Sequence, residues 1–260
     1  MSAASVAVMK THQWIDYFQR NRQHPPLPWD DTYQLSLEER AAVAGSIQQF
    51  QLGEGARGRS LLRRAETYAR RANDPEFVPA LRLFIAEEQR HSADLARFLT
   101  QQGIAVRSAH WVDTTFRKLR KLMGLEVCVS VLVTAELIAV PYYRALCDAT
   151  ESRLLRALCR RILCDEAQHL RFQAAMLARL RRQRPWMLRR ATMIGHKLFL
   201  LGAALVVWCE HHRVSCRGGY WFHRFISECL RLLRGLDSQV EQEIAELARS
   251  NPTAALDVIP

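Results

Sequence analysis

The sequence predicts an all-α protein of four long helices in two hairpins, followed by extra C-terminal helices. Three observations predict it. Glycine and proline are few, 11 and 9 in 260 residues, and strand-like alternation is scarce. Capping and breaking residues punctuate the chain at helix-length intervals. The tetrapeptide Glu-x-x-His occurs twice, as Glu88-Gln89-Arg90-His91 and Glu166-Ala167-Gln168-His169, and nowhere else. Residues i and i+3 share one helix face, so each copy aims a carboxylate and an imidazole at one point.

The elements follow in order. Residues 1–35 read as an N-terminal arm, with the extended run His24-Pro25-Pro26-Leu27-Pro28 excluded from any helix. A first helix opens at Ser36, with Glu39 completing a capping box, and runs towards Ala72. Asp74-Pro75 supplies an N-cap and a first-turn proline for a second helix ending near Gly103. A third spans about 113–149 with Pro141 inside it, and a fourth runs from Thr150-Glu151 to about Gln183. Pro185 opens a fifth over about 186–214, the pair Gly218-Gly219 stops it, and one or two shorter helices finish the chain. Residues 36–183 thus form the metal-binding bundle and 184–260 an appended helical portion packed on it.

Bulk properties narrow the class. The apolar share of 49% with 24% charged is that of a globular chain. Seven cysteines without a Cys-x-x-Cys exclude a disulfide framework and a zinc ribbon, and place the protein in a reducing cytoplasm. The longest apolar run, Leu198–Cys209, is too short to span a bilayer and reads as core, with a peripheral membrane contact as the alternative. A net charge of +11 points to an anionic partner, and solvated helix faces explain it equally well.

Hairpin geometry selects the remaining ligands. Glu136 and Glu166 are equidistant from Glu151, where the second turn falls, so they stand level. Glu54 lies about five residues further from the first turn than Glu88 does, an offset of roughly 7 Å. Glu66 misses in the other direction, and Glu54 sits in Gly53-Glu54-Gly55-Ala56-Arg57-Gly58, where glycines signal a close approach. The candidate metal ligands are therefore Glu54, Glu88, His91, Glu136, Glu166 and His169. Four carboxylates balance two divalent cations. Carboxylate with imidazole suits iron or manganese. Glu87 and Asp165, one residue before each motif, are placed to accept hydrogen bonds from the ligand histidines.

The stretch Ala86-Glu87-Glu88-Gln89-Arg90-His91-Ser92-Ala93-Asp94-Leu95 resembles the second-helix motif of soluble acyl-carrier-protein desaturases. Cys164-Asp165-Glu166-Ala167-Gln168-His169 resembles their fourth-helix motif and that of bacterial multicomponent monooxygenases. The resemblance to the ferritin-like diiron carboxylate superfamily spans about 36–183. It implies a ferritin-like four-helix bundle with two metal ions, Fe/Fe or Mn/Fe, and dioxygen as co-substrate. Hydroxylation, desaturation or another oxidation of a hydrophobic or carrier-bound organic substrate is the implied reaction. It also implies an external electron donor, a ferredoxin or flavin reductase, because the chain carries no motif for such a group. One departure is plain: the helix turn after Glu136, where oxygenases of this group often place a threonine, holds Ala139 and Val140.

Two other readings share the site: a ferroxidase or iron-handling protein, and an RNA-directed diiron hydroxylase. The basic cluster Arg181, Arg182, Arg189 and Arg190 is a candidate dock for an acidic acyl carrier protein, an anionic membrane surface or nucleic acid. A homodimer is a further expectation. Pro141 reads as a bend one turn beyond Glu136. Tyr143, on the same face as Glu136, reads as a core or rim tyrosine, with a hydrogen-bonding or radical role beside the metals as the alternative. His211-His212 reads as a polar helix end.

Overall fold

In the computed structural model, residues 9–56, 58–107 and 124–250 are described. They are helical with no strand among them: α1 (Thr11–Arg20), α2 (Leu37–Glu54), α3 (Arg59–Ala72), α4 (Phe77–Gln101), α5 (Leu125–Asp148), α6 (Arg153–Arg181), α7 (Trp186–Arg217) and α8 (Phe222–Ser250). The expected start of the third helix near Asp113 lies outside the described residues. Helices α2 and α4 pack together, α5 and α6 pack together, and α4 meets α6 across them. Helices α7 and α8 pack on α5, and α8 also on α6.

Local chemistry sets the helix ends. Ser36 and Glu39 form the expected capping box, each side chain bonding the other's backbone N–H. Helix α6 starts at a Ser152 cap whose hydroxyl accepts from the Leu155 N–H at 3.1 Å. Asp74 does not cap α4, which begins at Phe77. Its carboxylate instead accepts from Thr11 at 2.7 Å and Arg179 at 3.2 Å, tying α1 and α6 to the start of α4.

The first long helix is broken where continuity was expected. Helix α2 stops at Glu54, Gly55 caps it, and α3 starts after Gly58 in a left-handed conformation at φ 58°. A Cβ on Gly58 would come within 2.5 Å of Ile85 Cδ1, so the chain turns here directly against α4. The break also removes the offset found by counting from the first turn. Glu54 ends its own helix, and its height is set by the glycine turn.

Helix α1 was not expected. Thr11, Trp14 and Phe18 bury one face of it, and Phe18 and Trp14 meet Phe172 at ring-centre distances of 5.2 and 5.3 Å. The N-terminal arm is thus packed on α4 and α6 before its extended proline run.

Helix α7 corrects the expectation of a core segment. Only one side of it is buried, along His196, Leu200, Ala203, Ala204, Val207 and His211. Leu198 is 65% exposed and Leu205 49%. His211 is no polar helix end either: it is buried, with Nδ1 2.8 Å from Ser46 Oγ.

The two glycines around Glu54 make opposite predictions. Gly58→Ala meets both a left-handed backbone and Ile85, and is expected to destabilise by about 2–4 kcal/mol. Gly53→Ala, in a helix with nothing within 4 Å of the added carbon, is expected to stabilise by up to about 1 kcal/mol. Denaturant unfolding of the two variants beside the parent protein measures both signs.

Candidate metal centre

Helix α2 brings Glu54 on its last residue, α4 brings Glu88 and His91, α5 brings Glu136, and α6 brings Glu166 and His169. The structure draws these six side chains into two adjoining groups. Glu54, Glu88, His91 and Glu166 offer ligand atoms all within 4.8 Å of one another, and so do Glu88, Glu136, Glu166 and His169. Glu88 and Glu166 belong to both groups. Bonds of about 2.0–2.2 Å place opposite ligand atoms roughly 4 Å apart across one ion, so each group is of a size to close around a cation. Glu66 lies elsewhere, 3.5 Å from Arg82 on the surface.

The two imidazoles are oriented crosswise. His91 Nε2 bonds Asp165 at 2.9 Å, and His169 Nε2 bonds Glu87 at 3.0 Å. Each residue preceding a motif therefore serves the histidine of the opposite helix. With Nε2 directed at these carboxylates, both Nδ1 atoms face inward, where a neutral ring would offer its lone pair. His169 Nδ1 lies 2.9 Å from Glu88 Oε1, and His91 Nδ1 lies 3.9 Å from both Glu88 and Glu166.

The polar atoms of this interior lack partners of the usual kind. Glu88 Oε1, both oxygens of Glu166, and Nδ1 of both histidines are buried and face only one another, with no partner outside the cluster. Native interiors rarely leave such atoms unsatisfied, and a bound cation is one of the ordinary reasons. They are the inward-facing atoms, so the donor set fits metal ions by position as well as by chemistry.

The electrostatics say the same. Burial, then the neighbouring Glu88 carboxylate, pushes Glu54 well above the usual carboxylate range. Burial and Glu166 do the same to Glu136, and burial raises Glu166 to about 7. Burial alone would lower His169, but the carboxylates of Glu88, Glu166 and Glu87 outweigh it and hold its imidazole well above its ordinary value. Without cations the cluster therefore retains protons. Asp165 goes the other way: against the pull of burial, bonds from His91 and Asn21 and the nearby Arg90 charge keep it well below the usual range.

Three surrounding residues escaped sequence reasoning. Asn21, at the end of α1, donates both amide hydrogens outward to the crosswise carboxylates, at 2.7 Å to Glu87 and 2.8 Å to Asp165. No sequence signal marks it, because α1 itself was not expected. Arg90 reaches Asp165 at 3.0 Å and Glu87 at 3.6 Å. Gln173 donates to Glu136 at 3.1 Å, and its spacing of one turn beyond His169 was a signal available in the sequence. Tyr143 is more than a core tyrosine: its hydroxyl donates to Glu54 at 2.7 Å. Phe84 stands edge-on to the His169 ring at 4.8 Å, with Phe18 and Phe172 behind it.

The candidate anion dock does not hold together. Arg181 is 2% exposed and its guanidinium bonds Glu126 at 2.9 Å, inside the α5–α6 pair. Arg189 lies 3.6 Å from Glu241, while Arg182 and Arg190 remain exposed.

No protein-family model, curated protein or solved structure matches this chain.

Two outcomes follow from the geometry. Raised carboxylates and a raised imidazole both bind more protons folded than unfolded, so the metal-free protein is expected to lose stability as pH rises from about 5 to about 8. Below that window, Asp165 and Glu39, both held low, reverse the slope as they protonate. Urea unfolding of chelator-treated protein across pH measures the trend. Asn21→Ala leaves Glu87 and Asp165 each short of a donor, and is expected to weaken metal binding by about ten- to a hundredfold in chelator competition.

Proposed function

We propose that the chain is a ferritin-like dinuclear iron oxidoreductase that uses dioxygen to oxidise an organic substrate. The observation that carries the reading is the pair of four-residue groups sharing Glu88 and Glu166. Two cations would be held one by each group, with Glu88 and Glu166 common to both, Glu54 and His91 belonging to one and Glu136 and His169 to the other. Iron with iron, or manganese with iron, would supply redox change and open coordination positions for dioxygen there.

The chain's own residues supply the rest. The crosswise carboxylates Glu87 and Asp165 fix the tautomer of each histidine and raise its strength as a ligand. Four ligand carboxylates cancel the charge of two divalent ions, so the interior holds them at small net charge. Tyr143 keeps a proton on the hydrogen bond to Glu54, beside the first group. Ala139 and Val140 leave the turn after Glu136 without a hydroxyl, and Tyr143 is the O–H donor at the centre instead. The phenylalanine wall at His169 keeps water from that side. Glu88, with 17% of its side chain accessible, is the most open of the four Glu-x-x-His ligand side chains, so ions would reach the interior on its side. Electrons would come from a separate reductase.

Metal analysis tests this directly. The purified protein, reconstituted anaerobically with Fe(II), is expected to hold about two ions per chain, and Glu88→Ala and His169→Ala to hold about one or none. Absence of bound transition metal would remove the oxidoreductase reading. Continuous turnover of Fe(II) with oxygen alone, together with assembly into large shells, would move the assignment to a ferroxidase.

A further inference from the structure

Among the described residues two helices are long and apolar enough to cross a bilayer by length and composition, and they dispose of that apolarity differently. In α5, 72% of the apolar window is buried inside the protein; in α7 only 28% is. The buried side of α7 is polar in part, with His196 against Thr134 and His211 against Ser46. The outward side is apolar as well, although nothing among the described residues covers it.

Met187, Ala191, Ile194, Leu198, Leu205 and Cys209 recur at intervals of three or four residues or one full heptad, and all are exposed. They run for roughly 33 Å along the helix at its ordinary rise. Exposure reaches 68% at Met187, 61% at Ile194 and 65% at Leu198. Solvent-facing leucine and isoleucine in such a row exceed the scattered apolar residues that surfaces ordinarily carry. Aromatic side chains mark both ends: Trp186 is 63% exposed, and Trp221 and Phe222 just beyond the other end are 59% and 47% exposed. Exposed Arg190, Lys197 and Arg213 lie to either side of the row on the helix surface.

We infer that this face of α7 lies in the plane of an anionic lipid bilayer, with the apolar row among the acyl chains and the bordering cations at the headgroups. An exposed apolar row with tryptophans at its ends and basic residues beside it matches the lipid-facing side of an interfacial helix. Charge decides the occupant. A second copy of the chain would bring another net charge of +11, with the same bordering cations, against the first. An anionic surface neutralises both. The helix does not cross the bilayer, because from His196 onward its other side is buried against α2, α5 and α8. The inference does not depend on the metal centre.

The test is co-sedimentation of the full chain with vesicles of phosphatidylcholine alone and with equal parts of phosphatidylcholine and phosphatidylglycerol. The double variant Leu198→Glu/Leu205→Glu changes only outward side chains, and circular dichroism checks that it remains folded. The parent protein is expected to bind the anionic vesicles, less at high salt, and the double variant to bind them on the order of a hundredfold more weakly. No binding by the parent protein overturns the inference. So does equal binding by both proteins, which would leave charge as the only attraction. So does a parent dimer that the variant converts to monomer while neither binds lipid.

Discussion

Burying four carboxylates and two imidazoles in one interior is the constraint on which the rest of this structure depends. Like charges at such distances cannot coexist in a low dielectric without cations or protons to compensate them. The carboxylates of Glu54, Glu88, Glu136 and Glu166 are accordingly shifted towards the protonated form. The protein does not disperse this charge. It encloses it within rings of fixed polarity: the crosswise carboxylates, then Asn21 and Arg90, then the packed helix α1. A fold that tolerates such an interior must gain elsewhere, and α5 shows where. Its buried residues run almost without interruption from Cys128 to Leu146, and they hold the α5–α6 pair against the cluster's repulsion.

Backbone turns adapt to that demand. The Gly55–Gly58 break ends α2 at Glu54, which frees the direction of the following helix from the height of the ligand. Ser92 bonds the Gln51 carbonyl at 2.8 Å and receives a bond from the Gln51 side chain, fastening the same end of α2 to α4 one residue beyond His91. Pro141 stays inside α5 without ending it. Two residues later Tyr143 reaches Glu54, so α5 serves both groups: Glu136 directly and Glu54 through the tyrosine.

Much of this was legible because it is written in short-range spacing. The Glu-x-x-His pairs, the acidic residues before them and the symmetry of Glu136 and Glu166 about Glu151 are all consequences of one helical period. The misses share another character. The α2–α3 break depends on Ile85 pressing against Gly58, a contact between residues distant in sequence. Asn21 acts through an unrecognised helix on an arm whose prolines dominated its composition. The α7 face misled because an apolar run reports hydrophobicity without saying what covers it. Arg181 was misread for the opposite reason: a cation in a basic cluster looked exposed, while Glu126 on the neighbouring helix had already claimed it.

The repeated motif suggests a symmetrical centre, and the surroundings are not symmetrical. His91 is backed by Asp165, which also meets Arg90 and lies 3.6 Å from the partly buried His24. Its group contains Glu54 with the Tyr143 hydroxyl attached. His169 is backed by Glu87 and walled by Phe84, and its group contains Glu136 with the Gln173 amide attached. The His91 side thus carries the ion-pair contacts of Asp165, and the His169 side is the one walled by aromatic rings. Hydrogen bonds to the ligands and the local dielectric tune the affinity and potential of a bound ion. Two ions held by the same four-residue chemistry would therefore differ in affinity and potential. The difference arises in the residues around each motif, where the sequence repeat gives no hint of it.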